Sequence, residues 1–246
     1  MSELLPLNDN NLSKEKLVKP ITLAYFFIGI IELIAEFNKD ITLILLSKPL
    51  LMPLLIALYF CLSKKINTLY IISIIVVWFA NVFFIFDSFT YVLLGTTFYI
   101  IHRLLIIITV FKVLKFPGYF PLLIGCIPFL FIFLIVLNST YTVLGNSLYL
   151  FILQGLLLIV FGGYSLGNYI LKSNKSNTYL LLCALLFAAA QFIVVMKIVY
   201  VSFNIFQPIA MMLFIFGQYL QCHFMLLEEK KKWRLDIINS QKKGHS

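Results

Sequence analysis

The chain has 246 residues, of which 62% are apolar and 12% are charged, and its mean hydropathy is +1.01. This composition excludes a water-soluble globular protein, because no soluble core could bury that much apolar surface. The formal charge of +9 does not indicate a nucleic-acid partner, since the basic residues are spread along the chain rather than gathered into one patch.

Eight apolar runs follow one another along the chain. A helix needs about 20 mostly apolar residues to cross the hydrocarbon core of a bilayer, and each run approaches that length. The sequence therefore predicts an all-α fold, a bundle of eight transmembrane helices in one domain at 20–227. A polar cytoplasmic segment at 1–19 precedes it and a basic cytoplasmic tail at 228–246 follows it. The predicted spans are 20–37, 43–62, 68–86, 90–111, 119–137, 147–171, 178–201 and 205–227.

The connections between these runs are alternately rich and poor in lysine and arginine. Because Lys and Arg are retained on the cytoplasmic side, the alternation predicts an even number of spans and places both termini in the cytoplasm. The first 19 residues lack the pattern of a cleaved signal peptide, so we expect the first span to be retained, in a bacterial inner membrane. Fifteen of the 19 basic residues fall on the cytoplasmic side: Lys14, Lys16, Lys19, Lys64, Lys65, Lys112, Lys115, Lys172, Lys175, Lys230, Lys231, Lys232, Arg234, Lys242 and Lys243.

The cysteines show no sign of a metal site. Cys61, Cys126, Cys183 and Cys222 lie in apolar runs, without the paired spacing of zinc ligands or of a disulfide framework. The sequence therefore predicts buried free thiols and no bound metal.

Small and helix-breaking residues in the spans have mainly structural explanations. Gly163 and Gly167 have the spacing that lets two membrane helices approach closely. Pro49 and Pro53 remove backbone donors from the second span, so neighbouring groups must satisfy the carbonyls that are left free.

Charged residues near the outer ends of the first two spans predict an ion pair. Glu32 and Glu36 lie one helical turn apart on one face of the first span, and Lys48 follows in the second span after a short connection. We expect Lys48 to pair with one of these glutamates. The pair is either structural or part of a site that faces a substrate.

Further polar residues within the spans are Asn81, His102, Arg103, Gln191, Lys197 and Gln218. Neighbouring helices are expected to bring them together around one cavity that opens to the outer side. Arg103 carries a permanent charge and needs an anion, either a glutamate of the first span or the phosphate of a lipid. His102 is either a hydrogen-bonded packing residue or a proton carrier.

Several of these residues occur in segments that resemble one family. The run Ser-Lys-Pro-Leu-Leu-Met-Pro-Leu-Leu at 47–55 is similar to the opening of the second helix in the YhhN family of lysoplasmalogenase-like membrane proteins. The resemblance extends from about residue 20 to residue 227 and includes Lys48 and Pro49. The other similar segments are Trp78-Phe79-Ala80-Asn81, Gly95-Thr96-Thr97-Phe98 with His102, Phe187-Ala188-Ala189-Ala190-Gln191 and Gly217-Gln218.

The resemblance implies hydrolysis of the vinyl-ether bond of a lysoplasmalogen without a metal or organic cofactor. Such a site needs a general acid, a carboxylate and a cation for the phosphate. The chain departs from the family where two aspartates are expected, because Asn81 and Gln191 stand there and an amide cannot act as an acid. The remaining catalytic candidates are Glu32, Glu36 and His102. Lys48 and Arg103 are the candidates for the phosphate or lipid headgroup.

Three functions remain open from the sequence. The first is a lysoplasmalogenase-type hydrolase with relocated acid groups. The second is a catalytically inactive relative that binds a lysophospholipid or lysoplasmalogen through Arg103. The third is a small transporter or channel, suggested by charged residues on several spans. The sequence does not predict an oligomeric state.

Overall fold

The computed structural model describes residues 9–86, 88–200 and 205–243. This described part of the chain is almost entirely α-helical and contains no strand, as the apolar runs predict. Its helices are α1 (Asp9–Asn38), α2 (Ile41–Leu62), α3 (Thr68–Phe83), α4 (Phe89–Val113), α5 (Tyr119–Leu144), α6 (Leu148–Leu171), α7 (Lys175–Tyr200) and α8 (Phe206–Lys243), with a 3₁₀ turn at Gly145–Ser147.

A helix lies at each of the eight predicted positions, and seven of the described helices are long and apolar enough to cross a membrane. The exception is α3, which has 16 residues. At a rise of 1.5 Å per residue it is about 24 Å long, a few ångströms less than a typical hydrocarbon core.

The first and last helices extend beyond the spans predicted from hydropathy. α1 begins at Asp9 rather than at residue 20, and α8 continues to Lys243 rather than ending at residue 227. Hydropathy marks where a helix leaves the membrane, whereas Lys and Glu are good helix formers that allow the helix to continue in water. The predicted head and tail are therefore helical where the structure describes them; residues 1–8, 201–204 and 244–246 lie outside the described residues.

Consecutive helices pack in pairs: α1 with α2, α3 with α4, α5 with α6 and α7 with α8. The pairs are joined because α8 also contacts α1 and α2, and α6 contacts α4 and α7. Tyr25 on α1 is fully buried and donates a hydrogen bond to the carbonyl of Ile215 on α8 at 2.9 Å. This contact fixes the first helix against the last one.

Polar groups tie α8 to the connection between α2 and α3. Glu229 accepts hydrogen bonds from the hydroxyls of Tyr59 and of Ser63, the latter at 2.7 Å. The Tyr59 hydroxyl oxygen accepts a hydrogen bond from the backbone N–H of Asn67 at 2.8 Å. These bonds hold the end of α2 and the start of α3 beside the part of α8 where the basic tail begins.

Glycines allow α5 and α6 to pack backbone against backbone. A Cβ on Gly125 of α5 would overlap the carbonyl oxygen of Gly163 on α6 and lie 3.0 Å from the N of Gly167. The predicted packing role of Gly163 and Gly167 is confirmed, and the partner that the sequence did not identify is Gly125.

Candidate functional site

The predicted ion pair is present, and it involves both glutamates. Lys48 Nζ donates a hydrogen bond to Glu36 Oε1 and lies 3.4 Å from Glu32 Oε1. Ser47 Oγ and Glu32 Oε2 form a further hydrogen bond. Glu32, Glu36, Ser47 and Lys48 are all buried and are called the ion-pair cluster below.

Helix geometry explains why these four side chains meet. Glu32 and Glu36 are four residues apart and share the face of α1 that packs on α2. The connection between the helices is only two residues long, and Asp40 caps α2 by accepting hydrogen bonds from the N–H groups of Thr42 and Leu43. The tight turn places the first two turns of α2 opposite the last two turns of α1.

Trp78 satisfies a carbonyl that a proline leaves free. The carbonyl of Pro49 would normally accept from the N–H of residue 53, but Pro53 has none. Trp78 Nε1 on α3 donates to the Pro49 carbonyl instead, at 2.8 Å. The expected compensation for the paired prolines is therefore provided by α3.

Asn81 lies at the depth of the ion-pair cluster. Asn81 is buried on α3. Of the residues on either side of it in the sequence, Trp78 donates a hydrogen bond to α2, and Ile85 packs with Ala35 and Ile44. Its Nδ2 has no hydrogen-bond partner among the described residues.

Arg103 forms a second polar site, between α4 and α7. Its Nη1 donates to Gln191 Oε1 at 3.3 Å, and its Nη2 donates to the hydroxyl of Tyr99 at 3.0 Å. Its Cζ lies 5.1 Å from the centre of the Tyr99 ring and 5.9 Å from that of Phe187, within the range of cation–π attraction. Only 4% of the residue is exposed.

No carboxylate of the described residues lies within 4.0 Å of the Arg103 guanidinium, so its charge is unpaired there. The predicted pairing with a glutamate of the first helix is wrong, because α1 packs on α2 and α8 while α4 packs on α3 and α6. The guanidinium is therefore surrounded by neutral groups, the Gln191 amide and two aromatic rings.

His102 uses both of its ring nitrogens within the protein. Its Nδ1 lies 2.8 Å from the carbonyl oxygen of Ser73 on α3, and its Nε2 lies 3.3 Å from Nε2 of Gln218 on α8. A carbonyl only accepts and an amide nitrogen only donates, so these two contacts fit a neutral imidazole with its proton on Nδ1. Tyr99, His102, Arg103, Gln191 and Gln218 are called the arginine site below.

A small cavity adjoins the arginine site. It is lined by His102, Arg103, Phe187 and Gln221, among other residues, and has room for about one water molecule. A larger ligand can reach the guanidinium only if the surrounding rings, such as those of Tyr99 and Phe187, move.

Among the described side chains, which do not include that of Lys197, the predicted single cavity shared by Asn81, His102, Arg103, Gln191 and Gln218 is not found. Asn81, near the end of α3, lies with Glu32, Glu36 and Lys48 at the side of the α1–α2 connection, whereas His102 and Arg103 lie near the middle of α4 and contact Gln218 and Gln191, respectively. Neither glutamate lines the cavity beside Arg103 and His102.

Three partners in these sites were not identified from the sequence. Tyr99 precedes Arg103 by four residues on one helix face, a spacing that could have indicated the contact. The carbonyl of Ser73 and the side chain of Gln221 carry no such local signal, because their proximity depends on which helices are neighbours.

Comparisons of the chain with protein-family models, with curated proteins and with solved structures find no match. Function is therefore inferred from the residues and their geometry.

Proposed function

We propose that the chain is an integral membrane protein whose eight helices all cross the bilayer, with both termini in the cytoplasm of a bacterium. Large apolar side chains cover the outward faces of the bundle, including Leu123, Ile127 and Phe131 of α5, each more than 60% exposed. Lipid tails would cover such a surface. The alternation of basic connections supports an even number of spans.

The short helix α3 fits this topology as a span. It packs along α4, one of the seven long apolar helices, and its 16 residues carry no charge. Its length deficit of roughly 6 Å is of the size that local bilayer thinning accommodates at modest cost.

We infer that the protein binds a lysophospholipid or a lysoplasmalogen through Arg103. The supporting observation is the buried guanidinium, which has no carboxylate partner among the described residues and lies beside a cavity. A buried charge is costly unless it is paired, and a phosphate is the anion that a guanidinium binds best. The Tyr99 and Phe187 rings can contact the apolar part of the ligand.

The residues of the arginine site favour binding over turnover. Vinyl-ether hydrolysis needs an acid close to the bound lipid. The ring nitrogens of His102 are engaged by the carbonyl of Ser73 and the side chain of Gln218. The two glutamates lie in the separate ion-pair cluster. No carboxyl group of the described residues is therefore in contact with the Arg103 guanidinium.

A lysoplasmalogenase-type hydrolase is the second candidate, and one observation favours it. His102, Gln191 and Gln218 come from three separate segments that resemble the YhhN family; Gln191 contacts Arg103, and Gln218 contacts His102, the residue before Arg103. Gln191, at the position of an expected aspartate, contacts the guanidinium directly. These two contacts support the hydrolase candidate.

Replacing Arg103 by alanine is expected to weaken lysolipid binding by about tenfold or more, since hydrogen bonds to a charged group contribute roughly 1.5–3 kcal/mol. Binding would be measured in nanodiscs with lysophosphatidylcholine, and with monoacylglycerol as a ligand that has the same chain but no phosphate. Arg103→Lys, which keeps the charge, should retain part of the affinity.

The matched control is Lys112→Met, which removes an exposed positive charge from the same helix. We expect this variant to bind lysophosphatidylcholine like the wild type. Equal binding by the Arg103→Ala variant, or equal affinity for monoacylglycerol and the phospholipid, would contradict the proposal.

Restoring the two aspartates tests the hydrolase candidate. We expect no aldehyde release from a lysoplasmenyl lipid by the wild type, and measurable release by the Asn81→Asp/Gln191→Asp variant, because a carboxyl at position 191 would lie beside the Arg103 guanidinium and can supply an acid or an anion there. The same double variant with Arg103→Ala should lose activity. Turnover by the wild type would show that the protein is a hydrolase rather than only a binding protein, and would make Glu32, Glu36 and His102 the residues to test next.

A further inference from the structure

The ion-pair cluster contains one negative charge more than its lysine can balance. Glu32, Glu36 and Lys48 are 0%, 9% and 3% exposed, respectively. With both glutamates ionised, the cluster would hold a net charge of −1 inside the bundle. Burial of an uncompensated charge is so costly that such groups take up or release a proton instead.

No other described group balances this charge. The helices packed on α1 and α2 are α3, which has no charged residue, and α8, which has none between Phe206 and Leu227. Lys39 and Asp40, in the connection, are exposed to solvent. Arg103, on α4, forms no ion pair with either glutamate among the described residues.

The hydrogen bonds of Ser47 locate the missing proton. Ser47 Oγ contacts two oxygens, Glu32 Oε2 and the carbonyl oxygen of Leu43 at 2.7 Å. A serine hydroxyl provides one hydrogen, so two separate two-centre hydrogen bonds among these three oxygens need a second hydrogen. A carbonyl oxygen has none to give, so the second hydrogen must belong to Glu32.

We propose that Glu32 is a proton-binding site, a buried carboxylic acid whose Oε2–H donates to Ser47 Oγ while the Ser47 hydroxyl donates to the Leu43 carbonyl. Glu36 and Lys48 then form a balanced ion pair, and the cluster is neutral. Glu32 lies six residues, or about 9 Å, from the end of α1, so the ligand of this site is one proton held in the outer half of the bundle.

Infrared spectroscopy of the purified full-length protein tests the proposal. The wild type at neutral pH should show the carbonyl stretch of a protonated carboxyl, identified by its small shift in heavy water. Glu32→Gln should remove this band, because the amide keeps the shape of the side chain and donates to Ser47 without a carboxyl group. Ser47→Ala should shift the band without removing it, since the acid loses its acceptor.

Asp40→Asn, an exposed carboxylate of the neighbouring connection, is the control and should leave the band unchanged. A wild type without the band would overturn the proposal, as would a band that persists at full intensity in the Glu32→Gln variant. A band that sodium ions abolish would show that the site takes a metal cation in place of the proton, which also contradicts it. Monodispersity on gel filtration distinguishes loss of the band from loss of the fold.

Discussion

Replacing Lys48 by methionine is expected to destabilise the protein by about 3–5 kcal/mol, the usual cost of removing one partner from a buried ion pair. Methionine is apolar and similar in length to lysine, so the substitution leaves little empty space. Glu36, however, loses its cation and stays buried. In a chain of this size the change should lower the Tm by roughly 10 °C. Thermal unfolding in one detergent would measure the difference.

A second variant separates charge from packing. Lys48→Met/Glu36→Gln removes both members of the Glu36–Lys48 pair, and replacement of a whole buried pair is often close to neutral. We therefore expect the double variant to recover most of the lost stability. If it is as unstable as Lys48→Met, the effect comes from packing and the electrostatic explanation is wrong.

An exposed pair provides the matched control. Lys65 Nζ lies 3.2 Å from Asp236 Oδ2, and the two residues are 58% and 53% exposed. Exposed ion pairs contribute about 0–1 kcal/mol, because water solvates both charges when they separate. Lys65→Met should change the Tm by no more than a few degrees, which would show that burial rather than loss of a lysine causes the Lys48 effect.

Replacing Gly125 by valine is expected to destabilise the α5–α6 pair by about 3 kcal/mol or more, at the upper end of the range for overpacked sites. The added Cβ would overlap the Gly163 carbonyl, which belongs to the backbone of α6 and cannot rotate away. The two helices would have to separate. Thermal unfolding and the yield of monodisperse protein would measure the effect.

Leu123→Val is the control for this experiment, because it places valine in the same helix two residues earlier, at a side chain that is 65% exposed. Leu123→Val lowers helix propensity whereas Gly125→Val does not, so a larger loss of stability in Gly125→Val cannot come from helix propensity. Comparable stability of Gly125→Val and Leu123→Val would mean that α5 and α6 do not approach as closely as in this structure.

The unpaired positive charge and the excess carboxyl group lie in two different polar sites, on different helices. The arginine site has a positive charge without an anion, and the ion-pair cluster has two carboxyl groups for one cation. The packing of α1 on α2 and of α4 on α3 keeps these sites on different helix pairs, so neither site supplies the missing charge of the other. This separation is the reason that we assign a ligand phosphate to Arg103 and a proton to Glu32.

The sequence alone determined the class of the protein and the position of its helices. Whether a segment can form a membrane-spanning helix depends mainly on the apolar character of its own residues, which is a local property of the sequence. A helix therefore lies at each predicted position. The Lys48 pair was also predictable, because Glu32, Glu36 and Lys48 lie on helices joined by a two-residue turn. Short connections leave few ways for two helices to pack.

Only the tertiary structure decided which distant helices are neighbours. The sequence placed Glu32, Glu36 and Arg103 in the membrane but could not tell that α1 packs on α8 while α4 packs on α6. Those choices depend on side-chain packing, such as the close approach of Gly125 to Gly163, and hydropathy does not encode them. The division of the polar residues into two sites, and the lack of a carboxylate beside Arg103, follow from that packing.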